Sequence, residues 1–227
     1  MTGYAVVVAM LACALVAVLI AGAMDGREPG HRRLVVVLGA SDATGQGTPN
    51  PARDSWVARL AADLPDDIEI RNFGVGGSTL AQALREQLPR ALAARPNVAV
   101  CWLAVNDIAS GVPLSAYEQD LTSVVRRLRS TGSAVIVGNL PDLSRVPALA
   151  WSDGGESLRR TADAWNAAVA RLAAAEGATV VDLFAEPMTV EDFGPDGFHP
   201  SPLGHGRLAA RFRPAVERAL ADADRGR

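Results

Sequence analysis

Five short strand-like runs recur along the chain, most of them apolar from end to end. They are Leu34–Leu38 (LVVVL), Ile68–Phe73, Val98–Leu103, Ala134–Val137 and Thr179–Phe184. Runs this short and this apolar read as strands buried on both faces, because a half-exposed strand would alternate apolar with polar residues. The segments between them carry the helical period instead. Pro51–Leu64 places Trp56, Leu60 and Leu64 four residues apart. Leu80, Ala81, Leu84 and Leu88 mark a second helix, which Pro89 is expected to kink or end. Ser115 and Glu118 read as a capping box ahead of the stripe Leu121, Val124, Val125 and Leu128. Ser157–Ala175 reads as a fourth helix, and Leu208, Phe212, Val216 and Leu220 give the last one its apolar face.

Strand and helix alternating in this way, with strands apolar throughout, imply a parallel sheet covered by helices on both faces. The expectation is one three-layer α/β/α domain over residues 33–227, with a five-stranded parallel sheet in flavodoxin-like strand order. No internal repeat or second compositional zone divides it.

Ahead of this domain, residues 1–24 contain no Asp, Glu, Lys, Arg or His. Tyr4–Met24 is long enough, at about 1.5 Å per residue, to cross the hydrocarbon of a bilayer. It therefore reads as an N-terminal transmembrane or signal helix, joined to the domain by a linker at residues 25–32. The missing basic n-region favours an uncleaved anchor, while Ala21-Gly22-Ala23 leaves export after cleavage open. Arg27, Arg32 and Arg33 follow the span, a bias that alone does not decide which side of the membrane the domain occupies.

Composition excludes several classes of function. The formal net charge is −3 and no basic block is present, which argues against a nucleic-acid partner. The chain contains no lysine, so a phosphate loop that needs one is excluded. Cys13 and Cys101 fall in the N-terminal span and the third strand, where each reads as a small hydrophobe and not as half of a disulfide.

Ligands of such sheets bind beyond the carboxyl ends of the strands, so the polar residues there carry the argument. The first strand is followed by Gly39-Ala40-Ser41-Asp42, the second by Gly74-Val75-Gly76-Gly77-Ser78, and the third by Ala104-Val105-Asn106-Asp107. Asp196-Gly197-Phe198-His199-Pro200 precedes the last helix. Each piece alone is ordinary loop chemistry: a turn serine, glycines for backbone geometry, a local Asp–His hydrogen bond. Taken together they supply complementary roles. Ser41 is a candidate nucleophile, and a serine needs a base. Of the three histidines, His31 lies in the linker and His205 in or near the first turn of a helix read as surface. His199 remains, with Asp196 three residues before it to orient the ring. The backbone N–H groups of Ser41 and Gly77 and the side-chain amide of Asn106 would supply an oxyanion hole.

These residues resemble the SGNH hydrolase family, also called GDSL esterases and lipases, over roughly residues 33–220. Its four named residues would be Ser41, Gly77, Asn106 and His199. The resemblance implies a flavodoxin-like α/β/α domain, a Ser41–His199–Asp196 triad, and ester hydrolysis without metal or cofactor. DGFHPSPLGHG at Asp196–Gly206 is similar to the family's closing block. Two positions depart from its pattern: Ala40 stands where the family has an acid before the serine, and Ala104 where it usually has glycine. Asp42 follows the serine instead and is expected to cap the next helix.

The substrate expected is a small-molecule or lipid ester. A membrane span together with the apolar loop Leu140–Trp151 inclines the reading toward lipid or long-chain acyl esters. That loop lines an acyl pocket, closes as a lid, or simply packs as a crossover. The alternatives are a carbohydrate O-acetyl esterase, an acyltransferase, and a non-catalytic binding protein on the same scaffold. A nucleotide site at Gly74-x-Gly76-Gly77 lacks the dinucleotide spacing.

Overall fold

The structure is a computed structural model that describes residues 33–149 and 155–225. The expected span at residues 4–24 and the linker at 25–32 lie outside the described residues. Among those described, no helix is long and apolar enough to cross a membrane.

The five strands form one parallel sheet in the order β2-β1-β3-β4-β5. They are β1 (Arg33–Gly39), β2 (Ile68–Asn72), β3 (Val98–Trp102), β4 (Ala134–Gly138) and β5 (Thr179–Val181). This is the expected sheet in the expected strand order. The helices are α1 (Pro51–Asp54), α2 (Trp56–Asp63), α3 (Leu80–Ala94), α4 (Val105–Ala109), α5 (Leu114–Arg129), α6 (Gly155–Glu176) and α7 (Pro202–Arg225).

Side chains alternate across the sheet, and each face feeds its own core. Leu34, Val36 and Leu38 of β1, with Ala99 and Cys101 of β3, pack against Leu80 and Leu88 of α3 and the Leu121–Leu128 stripe of α5. Val35, Val37, Val98, Val100 and Trp102 face the other way, against Trp56 and Leu60 of α2 and Leu208, Phe212 and Val216 of α7. Trp56 and Phe212 stack with ring centroids 4.6 Å apart. Cys101 lies between layers as expected of a small hydrophobe, and burial pushes its thiol pKa up to about 12.

Several local expectations need correction. The helix expected over Pro51–Leu64 is two helices, because Ser55 adopts an extended conformation and its hydroxyl accepts the Ala58 N–H to start α2. Pro89 does not end its helix: α3 runs on to Ala94, with Leu88 and Ala91 buried on either side. Tertiary packing there offsets the one backbone bond that proline removes. The Ser115–Glu118 capping box is absent, since α5 starts at Leu114 after Pro113 with no side-chain cap. The box sits at Thr79 and Gln82 instead, at the start of α3. The fifth strand stops at Val181 and not at Phe184, because the Asp182 carboxylate accepts the N–H groups of Phe184 and Ala185 and turns the chain.

Candidate active site

All five strands run the same way, so their carboxyl ends gather the loops named above onto one edge of the sheet. After β1 the chain turns tightly at Ser41, whose carbonyl accepts the Gln46 N–H at 3.0 Å and the Thr44 hydroxyl at 2.8 Å. This turn presents the Ser41 hydroxyl to His199, whose Nε2 lies 3.0 Å from Oγ.

The other ring nitrogen of His199, Nδ1, lies 2.6 Å from Oδ2 of Asp196. The second carboxylate oxygen of Asp196 accepts the backbone N–H groups of Phe198 and His199 at 2.9 and 3.0 Å. A three-residue spacing allows this, because the turn brings the carboxylate back over its own successor residues. Desolvation pushes the Asp196 pKa up, but the hydrogen bonds from the His199 ring and the two N–H groups outweigh it and hold the carboxyl below its usual range. An ionised Asp196 facing Nδ1 places the ring proton there and leaves Nε2 free to accept from Ser41.

Ser41 and His199 open onto a pocket of about 70 Å³, whose walls are largely apolar and include Leu143, Val146, Met188, Phe193 and Phe198. Asn106 lines the same pocket. Its Nδ2 donates to the Ser78 carbonyl at 2.9 Å, tying the loop after β3 to the loop after β2. Gly77 occupies the third position of a turn closed by the Ser78 N–H on the Val75 carbonyl. Its φ of 77° explains the glycine there, since other residues rarely adopt that conformation. A Cβ on neighbouring Gly76 would stand 4.0 Å from the Ser41 Cβ, so this turn abuts the serine. The geometry thus brings Ser41, His199 and Asp196 into one hydrogen-bonded chain, with Asn106 beside it and the Gly77 turn against the serine loop. A hydroxyl, an imidazole and a carboxylate in series are the arrangement that activates serine as a nucleophile.

Residues 37–207 match the model of the GDSL-like lipase/acylhydrolase family, about three quarters of the chain. The chain belongs to that family. It is also 34% identical over 130 residues to a GDSL-like esterase of Mycobacterium tuberculosis, a match covering 57% of this chain and 34% of that protein. The chain therefore spans about a third of the length of that curated relative. Among solved structures, its fold is similar to TesA, with TM-score 0.67 and 24% identity over 82% of this chain and 99% of that one. It is similar also to the acetyl xylan esterase AlAXEase (TM-score 0.66, 16% identity, 81% of this chain and 99% of that one). The psychrotrophic esterase EstA from Pseudoalteromonas sp. gives TM-score 0.64 and 16% identity over 83% of this chain and 99% of that one.

In this member of the GDSL-like family, Asp42 does not cap a helix. It accepts the N–H of Ala43 at 2.7 Å, and burial beside Ser41 pushes its pKa up to about 6. The next helix, α1, begins after Asn50. Asp107 does the capping expected of neither residue: both its oxygens accept the Leu80 N–H, at 3.0 and 3.1 Å, at the start of α3.

His205 also departs from expectation. It lies in the first turn of α7 as expected, but it is fully buried. Its Nδ1 accepts the Trp56 N–H and its Nε2 lies on the Gln46 carbonyl, each at 3.2 Å. Because a backbone N–H can only donate, Nδ1 is unprotonated and Nε2–H donates to Gln46. Burial holds the His205 pKa below the ordinary histidine value. Nothing in the spacing of His205 signals this, because its partners lie on α2 and on the serine loop.

The loop after β4 contributes Leu143 and Val146 to the pocket. Asp142, a buried residue of the same loop, accepts from Ser144 and from Arg159 of α6, the latter at 2.5 Å. The part of this loop at residues 150–154 lies outside the described residues. Among the described residues, no three His, Cys, Asp or Glu side chains are grouped so as to hold a metal ion.

Proposed function

We propose that this chain hydrolyses carboxylic esters through an acyl-enzyme on Ser41. His199 Nε2 takes the Ser41 proton as Oγ attacks the ester carbonyl. The tetrahedral oxyanion is received by the N–H groups of Ser41 and Gly77 and by the Asn106 amide. Collapse expels the alcohol, which leaves with the proton held on His199. Water then attacks the acyl-enzyme, His199 again taking the proton, and the carboxylic acid departs with Ser41 restored. Asp196 holds the imidazole tautomer and balances its charge in each step.

The observation that carries this reading is the uninterrupted contact series, 3.0 Å from Ser41 to His199 and 2.6 Å from His199 to Asp196. Ser41→Ala tests it: turnover of p-nitrophenyl esters and labelling by a fluorophosphonate should both vanish while circular dichroism stays that of the parent. Residual turnover in that variant sinks the mechanism, and an unlabelled, inactive parent favours a binding protein on the same scaffold.

The pocket volume supports a short acyl group over the lipid or long-chain acyl group that the sequence suggested. A cavity of about 150 Å³ holds a benzene ring. One of about 70 Å³ suits a two- or three-carbon acyl chain. An acetyl or propionyl ester is accordingly the substrate class we assign. Residues 4–24 support membrane attachment or export for the same chain, and fractionating cells that express it into membrane, soluble and secreted protein separates the two.

A further inference from the structure

We infer that Gln87 is the positioning residue of the oxyanion hole. This rests on the esterase reading above and adds to it a residue that makes no contact with substrate. Gln87 lies on the apolar face of α3, in line with Leu80 seven residues earlier, and is only 1% exposed. An amide buried on such a face is costly unless its groups are paired. Here its bonds reach the last residue of β1 and the loop after β2. Oε1 accepts the Gly39 N–H at 3.0 Å, while Nε2 donates to the Gly39 carbonyl at 3.0 Å and to the Ser78 hydroxyl at 3.2 Å.

Each of those partners lies within two residues of an oxyanion donor. Gly39 is two residues before Ser41, and Ser78 directly follows Gly77. The Ser78 carbonyl in turn accepts from Asn106 Nδ2 at 2.9 Å. Gln87 thus joins the end of β1, from which the Ser41 loop departs, directly to the Gly77 loop, and to the Asn106 loop through Ser78. The helix that carries it is itself fixed to the Asn106–Asp107 segment by the Asp107 carboxylate on Leu80 N–H. Three donors on three separate strand ends act together only if their spacing is held to a fraction of an ångström. Leucine would fill the same volume without bonding any loop, so packing does not account for an amide here.

The test is steady-state kinetics of Gln87→Met, which keeps length and shape but removes all three bonds. We expect kcat for p-nitrophenyl acetate to fall about 10- to 100-fold, the cost of degrading oxyanion donors, with KM within threefold. The distinguishing readout is a double-mutant cycle. Combined with Asn106→Ala, the loss should come close to that of the larger single variant, because both act on one hole; combined with Asp196→Asn, the losses should multiply. A kcat within twofold of the parent overturns the proposal, as does full multiplication with Asn106→Ala. If Gln87→Met does not fold, Ser78→Ala removes only the 3.2 Å bond and should lower kcat three- to tenfold; unchanged kcat there overturns the proposal equally. Ser41→Ala in the same assay judges the esterase reading separately, so the two failures are distinguishable.

Discussion

Asp196 grips His199 from two directions. One carboxylate oxygen accepts the His199 backbone N–H at 3.0 Å, and the other lies 2.6 Å from the same residue's Nδ1. The ring is thereby fixed relative to its own backbone, with Nε2 aimed at Ser41. Replacing Asp196 by Asn keeps the shape but offers Nδ1 a group that can donate, which favours the wrong tautomer. We expect Asp196→Asn to lower kcat by about 10² to 10³-fold with the melting temperature little changed, and His199→Ala to cost more. An Asp196→Asn enzyme at parental kcat would show that the carboxylate is not needed.

The pocket makes a statement about chain length. With a pocket of about 70 Å³ lined by Ser41, Leu143, Met188 and Phe193, kcat/KM should peak at acetyl or propionyl and fall at least tenfold by octanoyl. A series of p-nitrophenyl esters from acetyl to palmitoyl measures this. A maximum at octanoyl or beyond would restore the long-chain reading.

Gly47 is a packing requirement of the site. Its φ is 97°, and a Cβ there would run into the Pro200 carbonyl oxygen and stand 2.9 Å from the Cβ of His199. Gly47→Ala should therefore displace the histidine loop, lowering kcat at least tenfold and stability by about 1–3 kcal/mol. Thermal melts and ester kinetics on the one variant report both.

Asp107 ties stability to pH. Its carboxyl is fully buried, and desolvation pushes its pKa up to about 6 although the Leu80 N–H opposes this. The folded protein therefore holds this proton more tightly than the unfolded chain, whose aspartates titrate near about 3.9. The charged form is disfavoured in the fold, so Asp107 costs stability above pH 6, and the cost fades as pH falls through 6 toward 4. Asp107→Asn keeps an acceptor for Leu80 and removes the charge. Its gain in melting temperature over the parent should be larger at pH 7.5 than at pH 5. An equal gain at both would contradict the burial argument.

The elements legible in the sequence were those fixed by short-range pattern. Val-rich runs such as Leu34–Leu38 specify a strand buried on both faces, and the Leu121–Leu128 stripe specifies a helix face. The errors arose where a local signal met a tertiary one. Pro89 reads as a breaker, yet burial of Leu88 and Ala91 carries α3 through it. Ser115 and Glu118 have capping spacing, but the loop from Ser110 to Pro113 starts the helix two residues earlier than a Ser115 cap would.

What the sequence by itself determined, then, is the layer order of the fold and a short set of candidates at strand ends. Three histidines, one of them three residues after an aspartate, left few choices for a base. Only the tertiary structure decided how those candidates meet. Ser41 and His199 are 158 residues apart, and their 3.0 Å contact exists because parallel strands deliver distant loops to one edge. For the same reason the burial of His205 and the bonds of Gln87 left no trace in local spacing, since their partners lie on other elements and on distant loops. Periodicity is written in neighbours along the chain, whereas hydrogen bonds between loops are written in the closing of the sheet.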